Sequence, residues 1–205
     1  MKLIKEEAEM KFMASKLYFK PLWESMVKDH NKDFNIGRKD TALDIGSGFG
    51  VLTDLVAKEF KVKDMYGITI DPERCRIASE NYSDYKFFLM VVQDMEFEDN
   101  KFDLVFSRGS YRFWNDKIQG FREILRVMKP GAFALIGGGF GKSNDKANVK
   151  QARKNLGRMT NTSGDDSKLP YPTRDELAQM LRQAGIQEFE FTSPEYPGMW
   201  ISFYK

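Results

Sequence analysis

The sequence predicts an α/β protein, a three-layer α/β/α sandwich built on a mostly parallel seven-stranded sheet with an antiparallel C-terminal strand. Short apolar runs alternate with stretches of helical period between residues 41 and 136, the order that βαβ units produce, and such units wind right-handed crossovers over both faces of a parallel sheet. Glycine or proline punctuates the runs, and the last two lie close enough to form a hairpin-like pair. A chain of 205 residues fits one domain. At that size roughly 70% of the unfolded surface can be buried, enough for a real core.

Residues 1–40 read as one or two helices laid over the sheet, an N-terminal helical cap. Thr41–Ile45 is the first strand; Gly46, Gly48 and Gly50 end it, and residues 51–57 resume at helical spacing. The unit then repeats. Residues 65–70 form a strand, and Asp71 as N-cap with Pro72 in the first turn opens a helix to about Asn81. Residues 86–92 and 102–106 are further strands. Between residues 116 and 128, Phe121, Ile124, Leu125 and Met128 share one helical face, and Lys129-Pro130-Gly131 is expected to stop that helix. Residues 132–136 are the next strand, closed by Gly137-Gly138-Gly139-Phe140-Gly141. Residues 142–172 are polar and too long for a plain connection, so an insertion or lid is expected before the last helix. Thr173-Arg174-Asp175-Glu176 is a capping box for that helix, with Leu177, Met180 and Leu181 inward. Residues 188–192 and 199–204 are strands around Pro194-Glu195-Tyr196-Pro197-Gly198, and Tyr196 and Trp200 there are either lid or core.

The 32 basic and 30 acidic side chains nearly cancel, so no global field draws in a polyanion and nucleic acid is not an expected partner. One stretch departs from this balance: Lys142, Lys146, Lys150, Arg153, Lys154 and Arg158 are relieved only by Asp145. It reads as a solvated helix face, with a surface for an anionic substrate as the alternative. Cys75 is the sole cysteine, which excludes an intrachain disulfide and a thiolate zinc pattern, and no metal is expected. A small, buried apolar role suits it. No stretch reaches the ~18 apolar residues of a membrane span, and charges interrupt MKLIKEEAEMKF too often for a signal-peptide core. A reducing cytoplasm and no membrane partner are expected; the oligomeric state stays open.

In an open α/β sheet a ligand sits beyond the carboxyl ends of the strands, where the strand order reverses. Alternating Gly46, Gly48 and Gly50 remove side chains where the backbone must turn and approach a ligand ahead of a helix. A dinucleotide fingerprint needs glycine at position 51, where Val51 stands, and a G-x-x-x-x-G-K-S/T phosphate loop is absent. That spacing disfavours a nicotinamide-dependent oxidoreductase. The segment Leu43-Asp44-Ile45-Gly46-Ser47-Gly48-Phe49-Gly50 resembles motif I of the class I S-adenosylmethionine-dependent methyltransferases. Gln93-Asp94-Met95, Asp99-Asn100-Lys101-Phe102-Asp103-Leu104-Val105 and the segment from Phe121 through Lys129-Pro130-Gly131 follow in that family's order and spacing. The resemblance covers residues 41–139. Ser107-Arg108-Gly109-Ser110, Phe113-Trp114 and Ile136-Gly137-Gly138-Gly139-Phe140-Gly141 resemble a narrower subgroup of small methyltransferases.

The resemblance implies a Rossmann-like fold, S-adenosyl-L-methionine as cofactor with S-adenosyl-L-homocysteine as product, and in-line methyl transfer to a small-molecule acceptor. A cofactor-binding sensor or complex subunit without catalysis is the alternative. By the same resemblance Asp44, Gly46, Ser47 and Gly48 hold the amino-acid end of the cofactor, and Gly50, Ile70 and Ser107 belong to the same cradle. Asp94 accepts from the adenine amino group, while Met95 lies against the ring and lends its amide to a ring nitrogen. An acceptor-only carboxylate suits an ammonium or an exocyclic amine, and a thioether is a soft apolar wall. The family's acid for the ribose hydroxyls falls at Thr69 here. Asp71 lies within reach of the ribose, although capping the next helix is sufficient reason for it.

No obligatory base is expected, because a sulfonium already makes its methyl group electrophilic and alignment in a dry site supplies about 7–11 kcal/mol. The catalytic residue is therefore left open, and His30, the sole histidine, is expected at the surface of a polar stretch. Arg108 and Arg112 can fix an anionic group by bidentate pairing. Tyr111, Phe113 and Trp114 can stack on an acceptor or face the sulfonium, with packing on the next helix as the equal alternative for Phe113 and Trp114. Tyr18 and Trp23 either line a lid over the pocket or cover the sheet.

Overall fold

The computed structural model describes residues 2–160, 172–193 and 197–205. It opens with α1 (Lys2–Ala14), one π-helical turn (Ser15–Phe19) and α2 (Lys20–Phe34). The alternating units follow: β1 (Thr41–Ile45), α3 (Val51–Glu59), β2 (Asp64–Thr69), α4 (Pro72–Asn81), β3 (Lys86–Leu89) and β4 (Phe102–Arg108). A short 3-10 turn (Tyr111–Phe113) leads to α5 (Lys117–Val127), β5 (Met128–Gly137), α6 (Lys146–Thr160), α7 (Arg174–Gln183), β6 (Glu190–Phe191) and β7 (Trp200–Tyr204).

The sheet has seven strands in the order β3-β2-β1-β4-β5-β7-β6. Neighbours from β3 to β5 pair in parallel, and β7 runs antiparallel to both β5 and β6. The order reverses between β1 and β4, which places a crevice at the carboxyl ends of those two strands. Period-two alternation divides the core between the two faces. Leu43, Ile45, Val105, Ala134 and Ile136 meet Phe121 and Ile124 of α5 and Leu177 and Leu181 of α7. Ala42, Leu104, Phe106, Phe133 and Leu135 meet Met26 and Val27 of α2 and Leu52, Leu55 and Val56 of α3.

Three expectations are corrected. Lys129-Pro130-Gly131 does not separate α5 from a later strand, because β5 already begins at Met128, paired with Phe102. The register shifts between Phe102 and Leu104, and this irregularity accommodates a proline that has no N–H to give the ladder. His30 is not a surface residue but fully buried on α2, with its ring edge against Trp200 at 4.3 Å between centroids. Burial pushes its imidazole down to about 3, so it is neutral and acts as an apolar core group. Cys75 is only half-buried, and partial desolvation raises its thiol pKa.

Of the stretch 142–172, residues 146–160 form α6, and residues 161–171 lie outside the described residues, as do Pro194, Glu195 and Tyr196. Trp200 is fully buried in the core. No helix among the described residues is long and apolar enough to cross a membrane.

Candidate functional site

β1 delivers the chain to the switch point, where Gly46 (φ 79°) and Gly48 (φ 54°) take left-handed conformations that other residues adopt only with strain. The amides of Gly46 and Ser47 both donate to the Ile68 carbonyl at 2.9 Å, and Ser47 Oγ donates to the same oxygen at 3.2 Å, which ties the turn to β2. The three glycines have different neighbours. A side chain on Gly46 would strike Ser110, whereas one on Gly48 would meet nothing nearer than the Gly46 carbonyl at 4.0 Å. A side chain on Gly50 would meet Phe87 and Tyr82, each at 2.9 Å. Gly50 thus serves the packing of α3 on α4 and β3, Gly46 admits the turn after β4, and of the three only Gly48 faces open space.

Alternation along β1 turns Asp44 toward α3, where Thr53 Oγ1 donates to its Oδ2 at 2.7 Å. Asp44 is 2% exposed, and among the described residues it has no ion pair. Burial raises its pKa from 3.8 to about 7, against the opposing pull of the Thr53 hydroxyl. A buried carboxyl so placed is poised to accept a cation.

At the neighbouring strand ends Thr69 is buried, and its hydroxyl accepts from the Asp71 amide at 3.3 Å. Asp71 Oδ1 accepts from the amides of Glu73 and Arg74 at 3.0 and 3.1 Å, the N-cap of α4. Ile70, between them, is 70% exposed, and Leu89 and Val91 at the end of β3 are exposed too. Asp94 stands exposed on the following turn. The Met95 side chain is buried in the core, and its amide donates to Glu123 Oε2 at 2.9 Å. Arg126 completes the brace: it donates to both Glu123 oxygens, at 2.7 and 2.8 Å, and to the carbonyls of Met95 and Phe97, each at 2.6 Å.

The turn after β4 is pressed onto the glycine turn. Ser107 Oγ donates to the Ile45 carbonyl at 2.8 Å and lies 2.6 Å from Ser110 Oγ, which also accepts from Trp114 Nε1 at 3.1 Å. Trp114 packs edge-on to Phe121 at 5.5 Å, so its ring sits in the core while its N–H steadies Ser110 above Gly46. Tyr111 is buried beside it. Phe113 is exposed, with the Arg112 guanidinium 4.8 Å from its ring centre.

Arg108 occupies the other rim. Its guanidinium lies 5.3 Å from the Trp23 ring and 4.7 Å from Phe140, and Nε donates to the Gly139 carbonyl at 2.9 Å. Trp23 stacks on Phe19, and Tyr18 packs into the same cluster with Phe140 and Leu156. Asn144 clasps this loop to α2: its side chain accepts from the Gly141 amide at 2.8 Å and donates to the Leu22 carbonyl at 2.9 Å. α1 covers the glycine turn directly, with Phe12 against Phe49 at 5.9 Å.

Sequence reasoning missed Thr53, Ser110, Glu123, Phe140 and Asn144. The pair of Met95 and Glu123 is separated by 28 positions, and no local pattern announces it. A cavity of about 420 Å³ lined by Arg122, Arg126, Ile186 and Tyr204 lies at the opposite end of the sheet, away from the glycine turn.

Comparison with known proteins agrees with this arrangement. The family model described as a methyltransferase domain matches residues 43–136. The chain is 35% identical over 130 residues to phosphoethanolamine N-methyltransferase 2 of Caenorhabditis elegans, covering 60% of this chain and 29% of that protein. It is 32% identical over 110 residues to the demethylmenaquinone methyltransferase of Chlorobaculum tepidum, covering 54% and 45%. It thus spans less than half the length of these curated relatives. A solved protein from Methanococcus maripaludis, described as an S-adenosyl-L-methionine-dependent methyltransferase, superposes with a TM-score of 0.76 at 28% identity, over 98% of this chain and 93% of that one. With its strand order, its glycine turn and these matches, the chain has the Rossmann-like methyltransferase fold, and residues 43–136 are similar to the methyltransferase domain.

Proposed function

We propose that the chain transfers a methyl group from S-adenosyl-L-methionine to a small-molecule acceptor, leaving S-adenosyl-L-homocysteine. The observation that carries this reading is Asp44, a buried carboxyl with no ion pair among the described residues, beside a turn that keeps open space over Gly48. An ammonium fits the first and a backbone-hugging chain fits the second. Exposed Ile70 offers an apolar face for the adenine, and Asp94 an acceptor for its amino group. Thr69 and Asp71 are occupied with the turn into α4, so the ribose hydroxyls would be met there by rearranged or water-bridged contacts.

When bound, the cofactor supplies the electrophilic methyl group. The protein's part is placement. Ser107, Ser110 and Trp114 hold the turn after β4 against Gly46, fixing the wall from which the sulfonium side is approached. Tyr18, Trp23 and Phe140 close the opposite rim and keep it dry, and Arg108, held between two rings, presents a fixed positive charge there. Arg112 and Tyr111 back the same turn. This wall favours an acceptor that carries an anionic group beside the atom to be methylated. Holding the acceptor in line with the methyl group supplies about 7–11 kcal/mol, so no dedicated base is required. The curated relatives named above act on phosphoethanolamine and demethylmenaquinone, which supports a small-molecule acceptor here.

The test is transfer of labelled methyl from the cofactor by the purified chain to a metabolite extract, with Asp44→Asn as control. Label in a small-molecule fraction that disappears with the variant is the expected result. Tight cofactor binding with no transfer across extracts would overturn the enzymatic reading.

A further inference from the structure

α6 buries Ala152 and packs Val149 and Leu156 toward Phe19 and Phe140, which turns its opposite face to solvent. That face carries Lys146, Lys150, Arg153, Lys154 and Arg158, all exposed. Lys146, Lys150, Lys154 and Arg158 recur at every fourth position and so form one line, with Arg153 beside it. The helix contains no acidic residue, and none of the five makes an ion pair among the described residues. Like charges at this spacing repel, so the row gains from a polyanionic surface laid along it.

The helix beside it adds a second, independent feature. α1 packs against α6, and the run from α1 into the π-helical turn exposes Ile4 at 62%, Met10 at 41%, Met13 at 53% and Leu17 at 63%. Met10, Met13 and Leu17 follow a spacing of three and four, one ridge along the helix. Four of the ten large apolar side chains that the described residues expose thus lie on this one helical run.

We propose that α1 and α6 together form a docking surface for an anionic lipid membrane. A basic row next to an apolar ridge is the pairing that a charged bilayer interface accommodates: headgroups take the lysines and arginines, and the acyl boundary takes methionine and leucine. Nucleic acid would satisfy the first feature and leave the second in water. A second copy of the chain would bring one basic row against another. Such docking is peripheral and needs no spanning helix, so it narrows the sequence expectation of no membrane partner to no membrane span. It stands apart from the assignment of methyl transfer. The inward side of α1, through buried Phe12 on Phe49, covers the glycine turn, and the exposed ridge of Met10, Met13 and Leu17 is no part of that contact.

The full chain is sedimented with vesicles of neutral phosphatidylcholine and with vesicles containing about 30% phosphatidylglycerol. Partition onto the anionic vesicles about tenfold or more above the neutral ones is expected. Lys150→Glu/Lys154→Glu/Arg158→Glu lowers that partition about tenfold, and Met10→Ser/Met13→Ser/Leu17→Ser lowers it severalfold, both with thermal unfolding and cofactor affinity unchanged. Equal partition onto both vesicle types, or no effect of either variant, overturns the proposal. So does tighter binding of single-stranded RNA than of anionic vesicles with the Met/Leu variant behaving as wild type, which would assign the basic row to nucleic acid.

Discussion

Asp44→Asn separates two roles that one carboxyl combines. Asparagine keeps an oxygen for Thr53 Oγ1 and almost the same volume, but carries no charge. In the wild type the shift from 3.8 to about 7 places about 4 kcal/mol against the ionised form, at about 1.36 kcal/mol per pKa unit. The folded-state value lies above the unfolded one, so the contribution to ligand-free stability is fully present below pH 3.8 and is lost as pH rises to about 7. Asparagine does not titrate, and the variant therefore gains on the wild type as pH rises. Allowing for relaxation around the charge, about 2 kcal/mol at pH ~8 is expected, or a Tm about 4–8 °C higher. Cofactor binding moves the other way. Loss of the charge partner weakens it by about 2–4 kcal/mol, roughly 30- to 1,000-fold. In the wild type each pH unit below about 7 weakens binding roughly tenfold, because the ionised fraction falls tenfold, and the variant shows no such slope. Differential scanning fluorimetry and calorimetric titration at pH ~5.5 and ~8.5 read all of these effects. A variant less stable than wild type at the higher pH, or one that binds the cofactor with wild-type affinity, refutes the assignment.

Asp94→Ala removes one charge-assisted hydrogen bond to the adenine and weakens cofactor binding about 10- to 100-fold, measured by calorimetry, with little change in Tm because the side chain is exposed. Glu123→Gln breaks the brace on Met95 and lowers stability by about 1–3 kcal/mol at neutral pH. The Arg126 guanidinium holds the Glu123 carboxyl below its ordinary 4.5, so that stabilisation is present above 4.5 and fades as pH falls, and urea unfolding at pH ~7 and ~3.5 shows the gap between variant and wild type closing in acid. Arg108→Ala raises KM for the acceptor about tenfold or more while the cofactor Kd stays within about twofold; equal effects on both constants place Arg108 on the cofactor side instead.

The order of strands and the glycine turn were legible because they are local: alternation within five residues marks β1, and three alternating glycines mark the turn behind it. Asp44 was legible from the motif it sits in. Its burial and its pairing with Thr53, nine positions on, are facts of how α3 packs. Gly50 looks like Gly46 and Gly48 in sequence, and only the approach of Phe87 and Tyr82 distinguishes it. His30 was misjudged from the polar residues around it, although Trp23, Met26, Val27, His30 and Phe34 follow helical spacing and already described a buried stripe. The hydrogen bond from Met95 to Glu123 was not legible, because the two belong to different elements. Trp114 packs its ring on the next helix, one of its two sequence readings, while its N–H on Ser110, the residue that closes over Gly46, was not foreseen.

The most direct test is a structure of the full chain with S-adenosyl-L-homocysteine bound. The ammonium should lie within about 4 Å of the Asp44 carboxylate, with the ligand chain running over Gly48 and the adenine between Ile70 and the Asp94 turn. Ligand bound elsewhere, or Asp44 left without a cation in the complex, would contradict it.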